Sequence, residues 1–388
     1  MAPSLILSAI VAVIVGFGGS VAVVLAAAEG VGATPLQTGS WVAALCISMA
    51  VTTGVLSVSQ RLPIVTAWST PGAALIATSS GVSIEQAVGA FLLCAVLILA
   101  TALIKPLSAL IAKIPGSIAA AVLAGVLFPF VVSVFDSLVS APLLAGGMAL
   151  CFIVIRLFSA AWAVIGALAL GIALSFLTGQ VAPFAPLRVS EFVWVTPVFE
   201  PAALIGLGLP LYLVTMASQN LPGFAVLRAD GYPVPSRPIL GVTGLASFVT
   251  AFAGAHTTSL AAITASICTG PDAHPDPAKR WLGGPVYALG YALLALGAAS
   301  IVGLFASFPP ELVLVTAGLA LAGPLTNALR GSLAAETDHF PAVITFVLTA
   351  SGVAFFGIGS AFWGLCAGLF LAALTPRRMG GCSRSAQG

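Results

Sequence analysis

The segment Thr66–Thr78 reads TAWSTPGAALIAT, an apolar stretch with Pro71-Gly72 at its middle and Ser69 and Thr70 set against them. Proline removes a backbone donor and glycine loosens a helix, so a helix crossing this stretch changes conformation part-way. Thr70 is placed to cap a half-helix whose first turn holds Pro71, where the missing N–H costs little. The purpose of the break becomes clear from the rest of the chain.

Hydrophobic residues make up 60% of the sequence and charged residues 6%, whereas a soluble domain carries about a quarter charged residues. This is the composition of a polytopic membrane protein, and its 41 glycines suit close helix contacts in lipid. A net charge of +2 without a long basic run gives no reason to expect nucleic acid. Cys46, Cys94, Cys151, Cys268, Cys366 and Cys382 have neither CxxC nor Cys/His ligand spacing and read as packing residues. No basic region precedes the first apolar segment, which therefore reads as a membrane span and not a cleaved signal.

With roughly twenty apolar residues per span, fourteen segments emerge, near 5–27, 36–58, 63–79, 84–104, 116–135, 141–157, 160–178, 202–226, 237–253, 256–270, 283–306, 311–329, 341–355 and 357–375. The third and tenth are short for full helices and are the expected discontinuous spans. With a cytoplasmic N-terminus, this count places Arg61, Lys105, Lys113, Arg156, Arg228, Arg237, Lys279, Arg280, Arg330, Arg377, Arg378 and Arg384 on the cytoplasmic side. Only Arg188 falls outside, a bias that supports both the count and an orientation with both termini cytoplasmic. Glu29, Glu85, Asp136, Glu191, Glu200 and Glu311 fall on the other side.

A proline-rich connection from about 179 to 201 divides the chain into a first repeat, 1–190, and a second, 191–388, of seven spans each. The halves echo one another. PGSIAAAVLAGVLFP (115–129) and PELVLVTAGLALAGP (310–324) share their proline spacing, and TAWSTPGAALIAT is answered by TAFAGAHTTSLAAIT (250–264). Because seven is odd, the second half enters from the opposite side. The expected fold is an all-α 7+7 inverted repeat with a midplane site at the paired breaks, as in secondary transporters.

In the second break, Thr257, Thr258 and Ser259 follow His256. Two facing half-helix N-termini favour an anion, but each contributes only about 0.3–1 kcal/mol, up to about 2 when buried. Desolvating a carboxylate costs several times that, so hydroxyl donors from Ser69, Thr70, Thr257 and Thr258 are needed as well. The competing reading is that these hydroxyls satisfy carbonyls freed by the kink. In VTMASQNLPGFAVLR (214–228), Gln219 and Asn220 either clamp helices together or reach the ligand. VGFGGSVAVV (15–24) offers the aromatic face of Phe17, with glycines that suit close approach or simple packing. His256 is the one ionisable group at a break and titrates near physiological pH when unperturbed, unless it only satisfies kinked backbone. There is no carboxylate pair, nucleophile–base spacing, phosphate loop or metal cluster, so neither an enzyme nor a cofactor is expected.

At TAWSTPGAALIAT, LVTMASQNLPGFAVLRADGY (213–232) and SLAAITASICTGPDAHPDPAKRW (259–281), the chain resembles the benzoate/proton symporter family. That family is similar to the seven-plus-seven transporters that include nucleobase/ascorbate and sulfate/anion carriers. The resemblance implies a core domain (spans 1–4 and 8–11), a gate domain (spans 5–7 and 12–14), substrate held between spans 3 and 10, and gate-domain dimers among relatives. It places the span 8 site residue at Gln219 or Asn220 and the span 10 residue at His256. Nucleobase carriers often have glutamates at these places and this chain has none, which suits an anionic substrate. The implied substrate is benzoate, with its carboxylate at Ser69, Thr70, Pro71, Gly72 and the Thr257–Ser259 run, and its ring near Phe17. A carboxylic acid of pKa about 4 is ionised at neutral pH, and importing it opposes roughly 2.3 kcal/mol per 100 mV. Co-transport of a proton, on His256 or on the substrate, removes that cost. A nucleobase or inorganic-anion carrier, or a channel or receptor, is the alternative.

Overall fold

The computed structural model describes residues 3–79, 81–104, 115–184, 186–261 and 263–374. Lys105, Lys113, Arg377, Arg378, Cys382 and Arg384 lie outside them. The architecture is helical, with each of the fourteen apolar segments found as a helix or a broken helix. Among the described residues, seven helices are long and apolar enough to cross a membrane unaided. The rest are shorter, such as Pro142–Phe158, Ser360–Leu374 and the two interrupted spans.

Local chemistry sets the element boundaries. Span 2 (Pro35–Gln60) begins with a capping box in which Thr34 and Gln37 exchange bonds, and it ends at Arg61 in the left-handed conformation. Ser83 and Gln86 form the same box at the start of span 4 (Ile84–Leu103). Span 1 is two helices, Pro3–Gly18 and Val21–Gly30, separated at Gly19-Ser20. Span 8 (Pro201–Ala229) contains two π turns, Leu204–Gly208 and Met216–Asn220. Pro210 and Pro222 account for them: each lacks an N–H and crowds the carbonyl four residues back, Gly206 and Ser218, within the widened turns.

The packing follows the inverted repeat. Span 2 lies along span 11 (Gly283–Ala306), and seven spans on, span 9 (Ser236–Ala251) lies along span 4. Span 6 (Pro142–Phe158) packs on span 7 (Ala160–Leu177), and span 13 (His339–Ala350) on span 14 (Ser360–Leu374). Span 5 (Gly116–Ser140) and span 12 (Pro310–Ser332), the two proline-spaced segments, pack on each other. Their contact is close enough that a Cβ on Gly318 would sit 2.3 Å from the carbonyl oxygen of Phe130. The molecule is thus a 7+7 inverted repeat.

Among the described residues, the connection between the halves has no helix before residue 201, and its backbone groups bond to the spans it crosses. Val193 N–H donates to Ser40 Oγ, Val195 N–H to the Phe252 carbonyl and Val198 N–H to the Glu85 carbonyl. Large apolar side chains such as Val139, Leu157, Phe158, Leu293 and Phe370 are exposed on the outer surface, as expected of a lipid-facing wall. By the alternation of spans, Arg61, Arg156, Arg228, Arg237, Lys279, Arg280 and Arg330 share one end of the bundle and Arg188 lies at the other.

Candidate functional site

The two breaks meet. Residues Thr66–Trp68 (β1) and Thr258–Leu260 (β2) form an antiparallel pair in the register Thr66 to Leu260, Ala67 to Ser259 and Trp68 to Thr258. Two flanking bonds extend it, from Ser69 N–H to the Thr257 carbonyl (3.0 Å) and from Ala261 N–H to the Val65 carbonyl (2.9 Å). One short half-helix leaves each strand, Thr70–Ala77 in span 3 and Ile263–Thr269 in span 10.

The cap of the first half-helix is Ser69, not Thr70. Its hydroxyl accepts from Gly72 N–H at 3.1 Å and its carbonyl accepts from Ala73 N–H at 2.8 Å. Pro71 falls at the second helical position, and Thr70 takes the first. Gly72 leaves room for the cap, because a Cβ would come within 2.6 Å of Leu211 Cδ1 and 2.7 Å of Ser69 Oγ and displace one of them. With Pro71 lacking an N–H and those of Gly72 and Ala73 already engaged, the half-helix has one open donor in its first turn, Thr70. Its N–H and hydroxyl make no hydrogen bond among the described residues, and the residue is half-buried.

Most other hydroxyls at the breaks serve the structure. Thr215 on span 8 donates to Ser69 Oγ and also bonds Thr257 Oγ1, both at 3.0 Å, so one buried threonine joins the two breaks. Ser48 on span 2 bonds Thr258 Oγ1 at 2.7 Å, and Ser247 on span 9 accepts from Thr258 N–H at 2.9 Å. Ser259 Oγ reaches the Ala67 carbonyl at 3.3 Å. Thr52 and Thr53 both bond Thr66 Oγ1 at 2.7 Å. The expectation of free hydroxyls at the second break is therefore corrected for Thr257, Thr258 and Ser259, which bond span 8, span 2 and the Ala67 carbonyl, since buried oxygens need partners in a dry interior.

Asn220 and Gln219 separate. Asn220 is fully buried, accepts from Leu260 N–H at 3.0 Å and donates to Met216 Sδ at 3.3 Å, so it clamps β2 to span 8. Gln219, on the second π turn, is half-buried and its amide makes no hydrogen bond among the described residues. It lies on the turn that packs against β2, four residues beyond Thr215 in the chain, and Thr70 directly follows Ser69.

His256 is buried behind the pairing. Trp41 Nε1–H donates to its Nδ1 at 3.0 Å, which fixes the tautomer, so Nε2–H donates to the Ser69 carbonyl at 3.1 Å. Trp41 and Phe91 pack edge-on around the ring. A proton on Nδ1 would face the indole N–H donor to donor, and both ring nitrogens are engaged in bonds that join spans 2, 3 and 10. Phe17 is nearly buried and meets Trp68 edge-to-face at 5.6 Å, and Trp68 in turn approaches Tyr291 at 6.3 Å. Trp68 Nε1–H donates to Ser20 Oγ at 2.9 Å. Phe17 is therefore held in an aromatic cluster against β1.

Sequence reading missed Thr215, Trp41 and Ser48, which lie within apolar spans outside the two breaks. The available signal for Thr215 was its spacing of four from Gln219. Among the described residues, no cluster of His, Cys, Asp or Glu could hold a metal ion. An apolar cavity of about 470 Å³ is lined by Leu92, Val96, Phe199, Phe248 and others, among which Val96 and Phe199 are exposed.

A 7+7 inverted repeat with two broken spans paired at its centre defines a membrane transporter. Solved structures share this fold at low identity. "The overall structure of SLC26A9" matches 96% of this chain and 65% of that chain, with a TM-score of 0.66 and 12% identity. The transmembrane domain of the cyanobacterial bicarbonate transporter BicA matches 96% of each chain, with a TM-score of 0.58 and 13% identity. Residues 1–374 match the family described as BenE, benzoate membrane transport protein, and the chain belongs to that family. A relative from Escherichia coli K12 named inner membrane protein YdcO is 39% identical over 94% of both chains. A benzoate membrane transport protein from Acinetobacter baylyi is 37% identical over 92% of this chain and 91% of that one.

Proposed function

We propose that this protein imports benzoate, or a similar aromatic carboxylate, together with a proton across the cytoplasmic (inner) membrane, with both termini cytoplasmic. The observation that carries the reading is the pair of open polar groups, Thr70 and Gln219, beside the paired breaks, with no acidic side chain among the described residues there to repel an anion. Thr70 N–H, its hydroxyl and the Gln219 amide supply donors for a carboxylate, each charge-assisted bond contributing about 1.5–3 kcal/mol. Apolar and aromatic side chains, Phe17 and Trp68 nearest the break, surround the ring. Ser69, Pro71, Gly72, Asn220, His256, Thr257, Thr258 and Ser259 shape and hold this site.

With His256 engaged on both nitrogens, benzoate binds as the carboxylate and its own oxygen takes up the proton before the loaded site reorients. Within this reading, alternating access is elevator-like, with spans 1–4 and 8–11 as the core that carries the site, spans 5–7 and 12–14 as the gate against which it slides, and a homodimer through the gate; the packing of span 5 on span 12 and of spans 6 and 13 on spans 7 and 14 supports it. The test is uptake of labelled benzoate into proteoliposomes with and without an inward proton gradient. Gradient-driven, saturable accumulation is expected, inhibited by excess benzoate. Uptake inhibited by uracil or sulfate but not by benzoate would give the site to a different anion or base, and non-saturable flux would indicate a channel.

A further inference from the structure

Arg280 is a buried cation with no ion pair among the described residues. Its side chain is 7% exposed, and the one ion pair among the described residues is Lys279 with Asp276. Its guanidinium donates to three separate segments: Nε–H to the His274 carbonyl at 2.7 Å, and the Nη1 group to the Thr269 carbonyl at 2.6 Å and to Tyr232 Oη at 3.3 Å. Tyr232, in the loop between spans 8 and 9, donates onward to the Pro277 carbonyl at 3.2 Å. The first helix joins the same assembly through Ser4 Oγ, which donates to the Ala273 carbonyl at 3.1 Å.

Thr269 is the last residue of the span 10 half-helix, whose other end adjoins β2 and the Thr257–Ser259 run. Seven residues of helix cover about 10 Å, too short to absorb a shift by bending. A buried charge is tolerated only while its hydrogen-bond partners stay in place, because losing them leaves it desolvated and unpaired. The guanidinium, a planar fork that a lysine cannot imitate, therefore fixes the axial position of the half-helix from its basic end. We infer that Arg280 is a positioning residue for transport, holding the span 10 half-helix, and through it the paired breaks, in binding register. This inference rests on the benzoate-site reading for its transport readout but not for its structural one.

The native thiol of Cys268, buried one residue before Thr269, supplies the structural readout, with the buried Cys46 and Cys94 as internal references. Full-length wild type, Arg280→Lys and Arg280→Gln are labelled with a maleimide in proteoliposomes, quantified cysteine by cysteine by peptide mass spectrometry, and assayed for benzoate uptake. In Arg280→Gln, labelling of Cys268 is expected to rise about tenfold while Cys46 and Cys94 stay unchanged, the scale of a lost charge-assisted hydrogen bond. KM rises by a similar factor, with turnover at saturation within about twofold, and Arg280→Lys falls between the two. Saturating benzoate slows Cys268 labelling in Arg280→Gln, because coupling between two sites is reciprocal. Unchanged Cys268 labelling, or an unchanged KM beside normal wild-type uptake, overturns the inference. Should all three cysteines open together in Arg280→Gln, Arg280→Lys decides, and wild-type behaviour of that variant in both assays overturns it. Selective opening of Cys268 in a protein whose wild type takes up no benzoate upholds the clamp and sinks the substrate reading instead.

Discussion

The indole N–H of Trp41 points at Nδ1 of His256 from 3.0 Å, and the opposite nitrogen of that ring holds the Ser69 carbonyl. A residue on span 2 thus sets the tautomer of a residue on span 10, which in turn steadies the cap of the span 3 half-helix. Among the described residues no charged side chain bonds this chain of contacts, so neither end supplies a reason for the imidazole to ionise.

His256→Gln keeps a donor and an acceptor on one side chain, whereas His256→Ala leaves the indole N–H unpaired and takes from the Ser69 carbonyl one of its two bonds, the other being from Ala73 N–H. A buried orphan costs about 1–3 kcal/mol. Proteoliposome uptake with an inward proton gradient is therefore expected to survive in His256→Gln at a reduced rate and to be nearly lost in His256→Ala. If His256→Gln equilibrates benzoate but never accumulates it, the imidazole carries the proton after all.

Thr215→Val keeps the shape and removes the one hydroxyl that bonds both Ser69 and Thr257. Leaving buried oxygens with fewer partners is worth roughly 1–3 kcal/mol, so benzoate KM should rise about tenfold. Thr215→Ser restores the oxygen and should recover most of the affinity. Wild-type kinetics in Thr215→Val would show that the link between the breaks does not matter for binding.

The fold was legible in the sequence because its signals are long-range and redundant. Hydrophobic length, the one-sided distribution of arginine and lysine, and the matched prolines at 115/129 and 310/324 each report on the same arrangement of spans. The place of the site was legible for a related reason: Pro71-Gly72 and the polar run after His256 cannot continue a membrane helix unaided. The division of labour within the site was not. Ser69 and Thr70 are adjacent and chemically alike, and only the φ and ψ of the break decide which hydroxyl caps and which stays open. Likewise, Gln219 and Asn220 carry the same amide, but the π turn created by Pro222 rotates Asn220 inward onto Leu260 N–H and leaves Gln219 open. Trp41 gave no signal, since a tryptophan in an apolar span is ordinary until its N–H is seen to meet a histidine.

Gly72→Ala tests the cap directly. The added methyl would overlap Leu211 Cδ1 and the Ser69 hydroxyl at 2.6 and 2.7 Å, so the Leu211 side chain and the capping hydroxyl have to give way. Losing an N-cap costs about 0.5–2 kcal/mol, and crowding in a packed core adds about 1–3 kcal/mol. Transport should fall by at least about tenfold, with a lower melting temperature in detergent. Near-normal transport would mean that the cap does not define the site.

The neighbouring amides give the sharpest separation of binding from scaffolding. Asn220→Ala strips the acceptor from Leu260 N–H in a fully buried setting, so it should lower the melting temperature of the detergent-solubilised protein by several degrees, as a loss of about 1–3 kcal/mol implies. Gln219→Ala removes an amide with no partner among the described residues, so the melting temperature should stay within about a degree of wild type. Its effect belongs to the ligand: one charge-assisted bond lost raises benzoate KM by about tenfold or more, and the stabilisation that saturating benzoate gives the wild type shrinks by the matching amount. A Gln219→Ala protein that binds benzoate as the wild type does, or an Asn220→Ala protein that melts normally but fails to bind, would reverse the two assignments, making Asn220 the ligand group and Gln219 a surface amide.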